Sequence, residues 1–586
     1  MPSSPHSARF EAYRPVVMGR HGMVCSGHPL ASQAGIAMLQ KGGNAVDAAI
    51  ATAAALNVTE PLMSGIGGDG YIMVYWQQTG GLEVSNGTGA APLAADPDHF
   101  RAHGIPLKGI LSVSAPGLVH SWLDAHQRYG SLPLAEVLAP AIDLAENGFP
   151  VSHVLAAAIA ADPWLARFPS SAAVFCPGGK PLRAGEILYQ RDLARTFQAI
   201  AREGRDAFYR GEVARALVRC SQEQGGLLTL DDLAQCRARW EAPIATTYHG
   251  HTVYEAPPNS SGHVLLQELN LVEQFDLKTL GCNTAQSVHL MVEAKKLAFS
   301  DREAYVADPD FVDVPTQGLI AKEYAKERAK LIDLERAMAD APPGDPWPWQ
   351  PGGTARKPAA PSGVTRAQED TTCFVVVDGQ GNAVCQLQSL QGAWGSSLIA
   401  EGTGVLLNNR MTYWHLDPNH PDCLQPGKRV RHTMNPVMVF RDAVPLGKGE
   451  GRARPEHSRR DGGQSLQLVL VCGTPGADTQ VQTNLQVITH VLDFGMTVAE
   501  AVEAPRWRNT QSPTESNIPH VCKDELLLES RFPQEARAEL QRRGHALNVI
   551  GDWAAAGSEM MIQIDPKTGA LHGAADPRRD GYAIGW

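Results

Sequence analysis

The chain has 586 residues, 43% hydrophobic and 19% charged, and a formal charge of -11 from 51 Lys plus Arg against 62 Asp plus Glu. That size suits two to four ordinary domains or one oversized layered domain. A mildly acidic chain has no broad electrostatic reason to hold nucleic acid or an anionic membrane, and those classes drop out first.

The N-terminal stretch MPSSPHSARFEAYRPVVMGRHGMV lacks the continuous apolar core of a secretory signal, and no run of eighteen apolar residues follows. A reducing, cytoplasmic setting is expected. Ten scattered cysteines without a C-x-x-C pair read as small buried hydrophobes rather than disulfide partners or zinc ligands. Residues 29–57 read as two Ala-rich helices broken at Gly42-Gly43, the second apolar nearly all round and therefore buried. Gly65-Ile66-Gly67-Gly68-Asp69-Gly70 matches G-x-G-x-x-G, but a helix precedes it and a strand-like run, YIMVYW, follows. The dinucleotide fingerprint needs the opposite order, so these glycines read as tight turns between packed elements, and no cofactor is expected.

Residues 131–340 look mostly helical. Residues 341–370, dense in Pro, Gly and charge, read as an exposed, poorly packed linker. From Thr371 the pattern changes abruptly, and TTCFVVVDGQGNAVCQLQSL reads as a hairpin with an Asp-Gly-Gln-Gly-Asn turn. A second soft stretch, 445–465, separates the runs PVMVF and LQLVLVCG; its Arg452, Arg454, Arg459 and Arg460 read as a solvated loop. The close histidine pairs, His249/His251 and His415/His420, sit beside turn residues with no acidic or cysteine partner at ligand spacing, so no metal is expected. Helical and strand groups alternate without regular βαβ spacing, which points to a layered α/β domain with a largely antiparallel core.

The Asp370-Thr371 junction carries the chemistry. A threonine hydroxyl is a poor nucleophile without a base beside it. Cutting before Thr371 would create an α-amine with a pKa of roughly 7.7–8.0, close enough to its own hydroxyl to serve as that base. On the residues alone, a plain linker between two domains is the simpler reading.

Blocks along nearly the whole chain change that reading. GGNAVDAAIA at 42–51, GIGGDG at 65–70, YGSLPLAEVLAPAIDLAENGFPV at 129–151, APPNSSGH at 256–263, EDTTCFVVVDGQGNAV at 369–384, GTGVLLNNR at 402–410, PGKRVRHTMNP at 426–436 and CGTPGADTQVQTNLQ at 472–486 resemble the γ-glutamyltranspeptidase family of N-terminal nucleophile hydrolases. The resemblance implies a four-layer αββα sandwich and a precursor that cleaves itself between Asp370 and Thr371. Residues 1–370 would form a large subunit ending in the 341–370 linker, associated with a small subunit, 371–586. It implies Thr371 as nucleophile, Ser389 as the hydroxyl bonded to it, and the amides of Gly476 and Ala477 as the oxyanion hole, provided the backbone there tolerates a Cβ.

The acyl-recognition positions depart from the family pattern. Members hold the substrate α-carboxylate with an arginine in the block equivalent to 85–92, where this chain has none; they hold the α-ammonium with an aspartate, where this chain has Tyr413. A Ser-Ser pair becomes His432-Thr433, an asparagine becomes Gln391, and a glutamine becomes Arg410. The resemblance thus implies a hydrolase or acyltransferase acting on a γ-glutamyl or γ-glutamyl-like amide through an acyl-Thr intermediate. An alternative is an amidohydrolase for a small acyl group without the ammonium, as in oxamate amidohydrolase-like and glutaryl-type acylase branches. A third, of another class, is an unprocessed, non-catalytic binding protein.

Overall fold

The computed structural model describes residues 12–353, 371–442, 466–511 and 523–586. Two seven-stranded antiparallel sheets stack face to face. The first runs from edge to edge through Tyr582–Gly585, Gly22–Ser26, Thr372–Asp378, Ala383–Ser389, Asp69–Trp76, Gly81–Gly87 and Arg239–Glu241. The second runs through Val17–Gly19, Leu571–Ala575, Met560–Ile564, Leu466–Gly473, Val437–Asp442, His251–Glu255 and Ile244–Tyr248.

The period of two along each strand builds the layers. Cys25, Tyr71, Met73, Cys373, Val375, Cys385 and Leu387 of the first sheet share one apolar cluster with Met438, Phe440, Val471 and Ile562 of the second. The alternate residues Val24, Ile72, Phe374, Val376 and Val384 point outward, into the helices Pro29–Gln40, Ala45–Thr59 and Leu134–Asn147. On the far side Val437, Val439, Leu470 and Cys472 meet Gly262–Val272, Ala285–Tyr305 and Thr479–Leu492. The result is the αββα sandwich.

The helix pair near the N-terminus breaks where the sequence places the break. Gly42 has φ of +90°, and Asn44 starts the second helix with a capping box closed by Asp47. All fifteen residues of that helix are buried. The hairpin expected after residue 370 is also present, with the Asp378 carboxylate accepting the amides of Gln380 and Asn382 to close the turn. It lies at the centre of the first sheet, flanked on both sides by strands from the first 370 residues.

The stretch 131–340 is mostly helical, as expected, interrupted by a hairpin of Ile244–Tyr248 and His251–Glu255 that turns at His249 and Gly250, both at positive φ. Buried threonines at 246 and 252 mask its apolar alternation. One expectation needs correction: the beginning of the 341–370 segment is not loose. Trp347 is buried against Tyr305, Leu319 and Tyr324, the Gly344 amide donates to Asp301, and Gln350 accepts the amide of Gly318. Residues 354–370, and with them Asp370, lie outside the described residues, as do Arg452, Arg454, Arg459 and Arg460. The nine described cysteines are unpaired and eight of them are buried. Among the described residues no helix is long and apolar enough to cross a membrane.

Candidate active site

Thr371 immediately precedes the strand Thr372–Asp378 in the middle of the first sheet. Thr372 pairs with Gln388, and Ser389 pairs with Asp69 on the next strand, so Thr371, Ser389 and Asp69 form a row across one end of the sheet. Residues two further along the same strands, Cys373, Leu387 and Tyr71, belong to the core between the sheets. Alternation therefore turns the row towards the second sheet, while Thr372 and Gln388 turn to the helices, where they bond Glu60 and Asn57. The Thr371 hydroxyl lies 3.3 Å from Ser389 Oγ, which accepts the Gln391 amide at 2.8 Å.

The glycines of GIGGDG let this end of the sheet close. A Cβ at Gly68 would lie 2.1 Å from the Ser389 carbonyl oxygen, and one at Gly67 would lie 2.2 Å from that of Leu406. The turn reading of the motif holds, and the motif also delivers Asp69, whose role the sequence reading missed. The only clue was an acid set between glycines at the start of an apolar strand. Asp69 accepts the Gly89 amide on Oδ1 and Arg410 Nε, at 3.0 Å, on Oδ2.

Arg410 and His432 approach that carboxylate, and the Tyr413 ring packs against Arg410. The Arg410 guanidinium lies 4.8 Å from the centre of the Tyr413 ring, and His432 Nε2 lies 3.7 Å from Asp69 Oδ2, too far for a hydrogen bond. His432 Nδ1 accepts the Met434 amide, so the ring proton sits on Nε2. Burial first, and then the Arg410 charge, push this imidazole down to about 4, so it is neutral at pH 7. Arg410 Nη2 and His432 Nε2 are both buried without a hydrogen-bond partner. Two unpaired buried donors facing one site are costly unless a ligand accepts from them. Thr433 is buried beside His432, and Gln391 is buried at a φ of +88° just after Ser389.

Gly476 and Ala477 lie just beyond a strand of the second sheet. Its strand Leu466–Gly473 approaches so closely that a Cβ at Gly473 would lie 2.8 Å from Cys373 Sγ, and the chain then runs through Gly476-Ala477 into the helix Thr479–Leu492. Gly476 has φ of +119° and Ala477 of +48°, so the backbone accepts the Cβ in a left-handed conformation. Neither amide donates to another backbone group among the described residues. Asp478 is held by Arg302, both fully buried.

The block 85–92 supplies no cation to the site. Asn86, Thr88 and Tyr71 instead hydrogen-bond one another and Asn259. Arg429 runs beside this block through the Ala90 bridge but is bound to Asp308 at 2.8 Å.

Distant parts of the chain bring to His249 and to the His415/His420 pair acidic partners that their sequence neighbourhoods lack. His249 Nδ1 lies 2.6 Å from Asp493 Oδ1. His415 and His420 stack 3.4 Å apart, each with Nε2 within 3.2 Å of Glu303 Oε1. All three residues of that second group are buried, so it is no surface feature.

The family profile described as gamma-glutamyltranspeptidase matches residues 31–448 and 463–586. The chain is 37% identical to the glutathione hydrolase-like YwrD proenzyme of Bacillus subtilis (strain 168), over 97% of this chain and 99% of that one. It is 36% identical to the acylase ACY 1 proenzyme of Pseudomonas sp. (strain SE83), over 99% and 96%. Among solved structures it resembles cephalosporin acylase from Bacillus halodurans with a TM-score of 0.83 and 34% identity, covering 100% of this chain and 99% of that one.

Proposed function

The chain belongs to the gamma-glutamyltranspeptidase family and is an enzyme, a hydrolase of that family; from that premise we propose that it is a self-processing acylase that cleaves amides through an acyl ester on Thr371. In processing, the Thr371 hydroxyl attacks the Asp370 carbonyl, and water resolves the resulting ester into a 1–370 and a 371–586 fragment. In turnover, Thr371 Oγ attacks the substrate carbonyl while its new α-amine takes the hydroxyl proton. The Gly476 and Ala477 amides receive the oxyanion, with the first turn of Thr479–Leu492 adding its dipole. The α-ammonium then protonates the departing amine. Water, or an acceptor amine, attacks the acyl-Thr ester and frees the enzyme.

The acyl group we propose ends in a carboxylate or carbonyl and carries no α-ammonium. The observation that carries this reading is the pair of unpartnered buried donors, Arg410 Nη2 and His432 Nε2–H. Asp69 already spends both oxygens on Gly89 and Arg410, and Tyr413 is no anion. A buried ammonium there would lack a counter-charge, at a cost of several kcal/mol. A γ-glutamyl acyl group is the second reading, supported by the 37% identical relative that is named as glutathione hydrolase-like. A cytoplasmic setting fits the unpaired cysteines.

A substrate panel on the processed protein tests the assignment. Glutaryl and oxamyl amides should be turned over at least ten times more efficiently than a γ-glutamyl anilide, and Arg410→Met should remove most of that preference. A γ-glutamyl preference that survives Arg410→Met contradicts the acyl assignment.

A further inference from the structure

Away from Thr371, the fold gathers His289, Glu293 and His545 so that one ligand atom of each lies within 4.8 Å of the others. His289 and Glu293 stand four residues apart on the helix Ala285–Tyr305 and share a face. His545 follows the helix Gln534–Arg542, beyond the Thr371 junction. All three are buried. His289 Nε2 lies 2.8 Å from the Asp333 carbonyl, which can only accept, so its proton sits on Nε2 and Nδ1 is bare. That Nδ1 faces His545 Nε2 at 2.8 Å. A histidine fixed by an N–H to a backbone carbonyl, with its other nitrogen turned to a convergent site, has the arrangement of metal-ligating histidines.

Glu293 receives Lys296 Nζ on Oε1 and the Met338 amide on Oε2, both at 2.8 Å. Lys296 also bonds the Met338 carbonyl at 2.8 Å, so it keeps an acceptor when the carboxylate turns elsewhere. Lys296 and Arg543 are the nearby cations that oppose an ion. A cavity of about 490 Å³, lined in part by Lys296, Met338 and His545, gives access from solvent.

We propose that His289, Glu293 and His545 bind one divalent transition-metal ion, of the zinc class, which clasps the 1–370 region to the 371–586 region. Two imidazoles and a carboxylate are a donor set that zinc takes, with the fourth position left to water from the cavity. On binding, the His545 ring proton moves from Nε2 to Nδ1, so no proton is lost from either ring. The second histidine group lacks these properties. The His415 and His420 rings stack 3.4 Å apart at 9°, so their in-plane lone pairs run parallel and cannot converge on one ion, and Arg431 occupies Glu303 Oε2 at 2.8 Å. That group is a hydrogen-bonded cluster rather than a vacant ion site.

The test is calorimetric titration of the full, chelator-stripped protein with zinc chloride, alongside cobalt chloride followed by absorption. One ion should bind per 586-residue unit and raise the melting midpoint. His289→Gln and His545→Gln should weaken binding by more than the roughly 10–100-fold that losing an outer partner costs. Lys296→Met should tighten it, which a purely structural lysine would not do. If the histidine variants do not fold, the Lys296→Met shift and a cobalt spectrum free of thiolate charge-transfer bands decide the matter on folded protein. An absent 1:1 event, unchanged affinity in His545→Gln, weaker binding in Lys296→Met, sulfur-ligated cobalt, or loss of binding in His420→Gln alone would overturn the site.

Discussion

Ala477 illustrates how much a single backbone angle says about this site. Its φ of +48° is open to glycine without penalty and costs other residues about 1–2 kcal/mol. The position therefore keeps its amide direction and bears the strain of a methyl group. Ala477→Gly should keep activity within a few-fold, whereas Ala477→Val, a branched side chain at positive φ, should lower both the melting midpoint and turnover. Comparing the two variants by thermal melting and steady-state assay checks this. At Arg410 the fork matters as well as the charge, since Nε grips Asp69 and Nη2 is left for a ligand. Arg410→Lys keeps the charge but loses that geometry. It should reduce kcat/KM for a glutaryl amide by roughly ten- to a hundred-fold, in line with about 1.5–3 kcal/mol for a hydrogen bond to a charged group. Equal values for the two enzymes would show that Arg410 only lines the wall. The sequence identified Arg410, Tyr413 and His432 as departures from a family pattern. It did not reveal that Asp69 holds Arg410 and adjoins His432, because nothing local links position 69 to position 410.

At the scale of elements, the hairpin at 371–389 was the most legible part of the chain. Its apolar runs, its Asp-Gly-Gln-Gly-Asn turn and its abrupt start are all local properties. The turns in GIGGDG were legible for the same reason. The hairpin at 244–255 was not, because its burial depends on the helix Gly262–Val272 packed beneath it rather than on its own composition. The close approach at Gly68 gives a direct test of how the turn supports the site. A Cβ 2.1 Å from the Ser389 carbonyl must push the strand end away, and overpacking of this kind typically costs about 1–3 kcal/mol. Gly68→Ala should therefore slow self-cleavage as well as destabilise the fold, read as persistence of the full-length band during expression. Normal processing with normal stability would mean that the turn has room to yield.

At the scale of the molecule, the two proposed fragments are interleaved rather than docked. The strand Thr372–Asp378 is hydrogen-bonded to Gly22–Ser26, and Ala383–Ser389 to Asp69–Trp76, so separation would tear both ladders from the middle of a sheet. The fragments should co-elute on size exclusion until a denaturant unfolds the whole. Buried ionisable groups set the pH response. His263, His432, His490 and His545 sit at about 3–4, chiefly through burial, below the ordinary 6.5, so the folded chain binds fewer protons than the unfolded one and stability drops as pH falls from 6.5 towards 4. Glu268 and Glu559 are raised by burial to about 8, which works the other way and erodes stability as pH rises towards 8. Urea midpoints should peak at roughly pH 6–7 and decline on both sides. None of this long-range pairing is written in a window of sequence, which is why the fold class could be read from the family blocks while the ion pairs and histidine clusters could not.

The claim on which the catalytic account rests is that Thr371 becomes a chain end. N-terminal sequencing of the smaller fragment from purified, active enzyme, with Thr371→Ala alongside, tests it most directly. The expected outcome is Thr-Thr-Cys-Phe from the parent and a single uncut, inactive chain from the variant. A different first residue, or an active enzyme that is never cut, would contradict it.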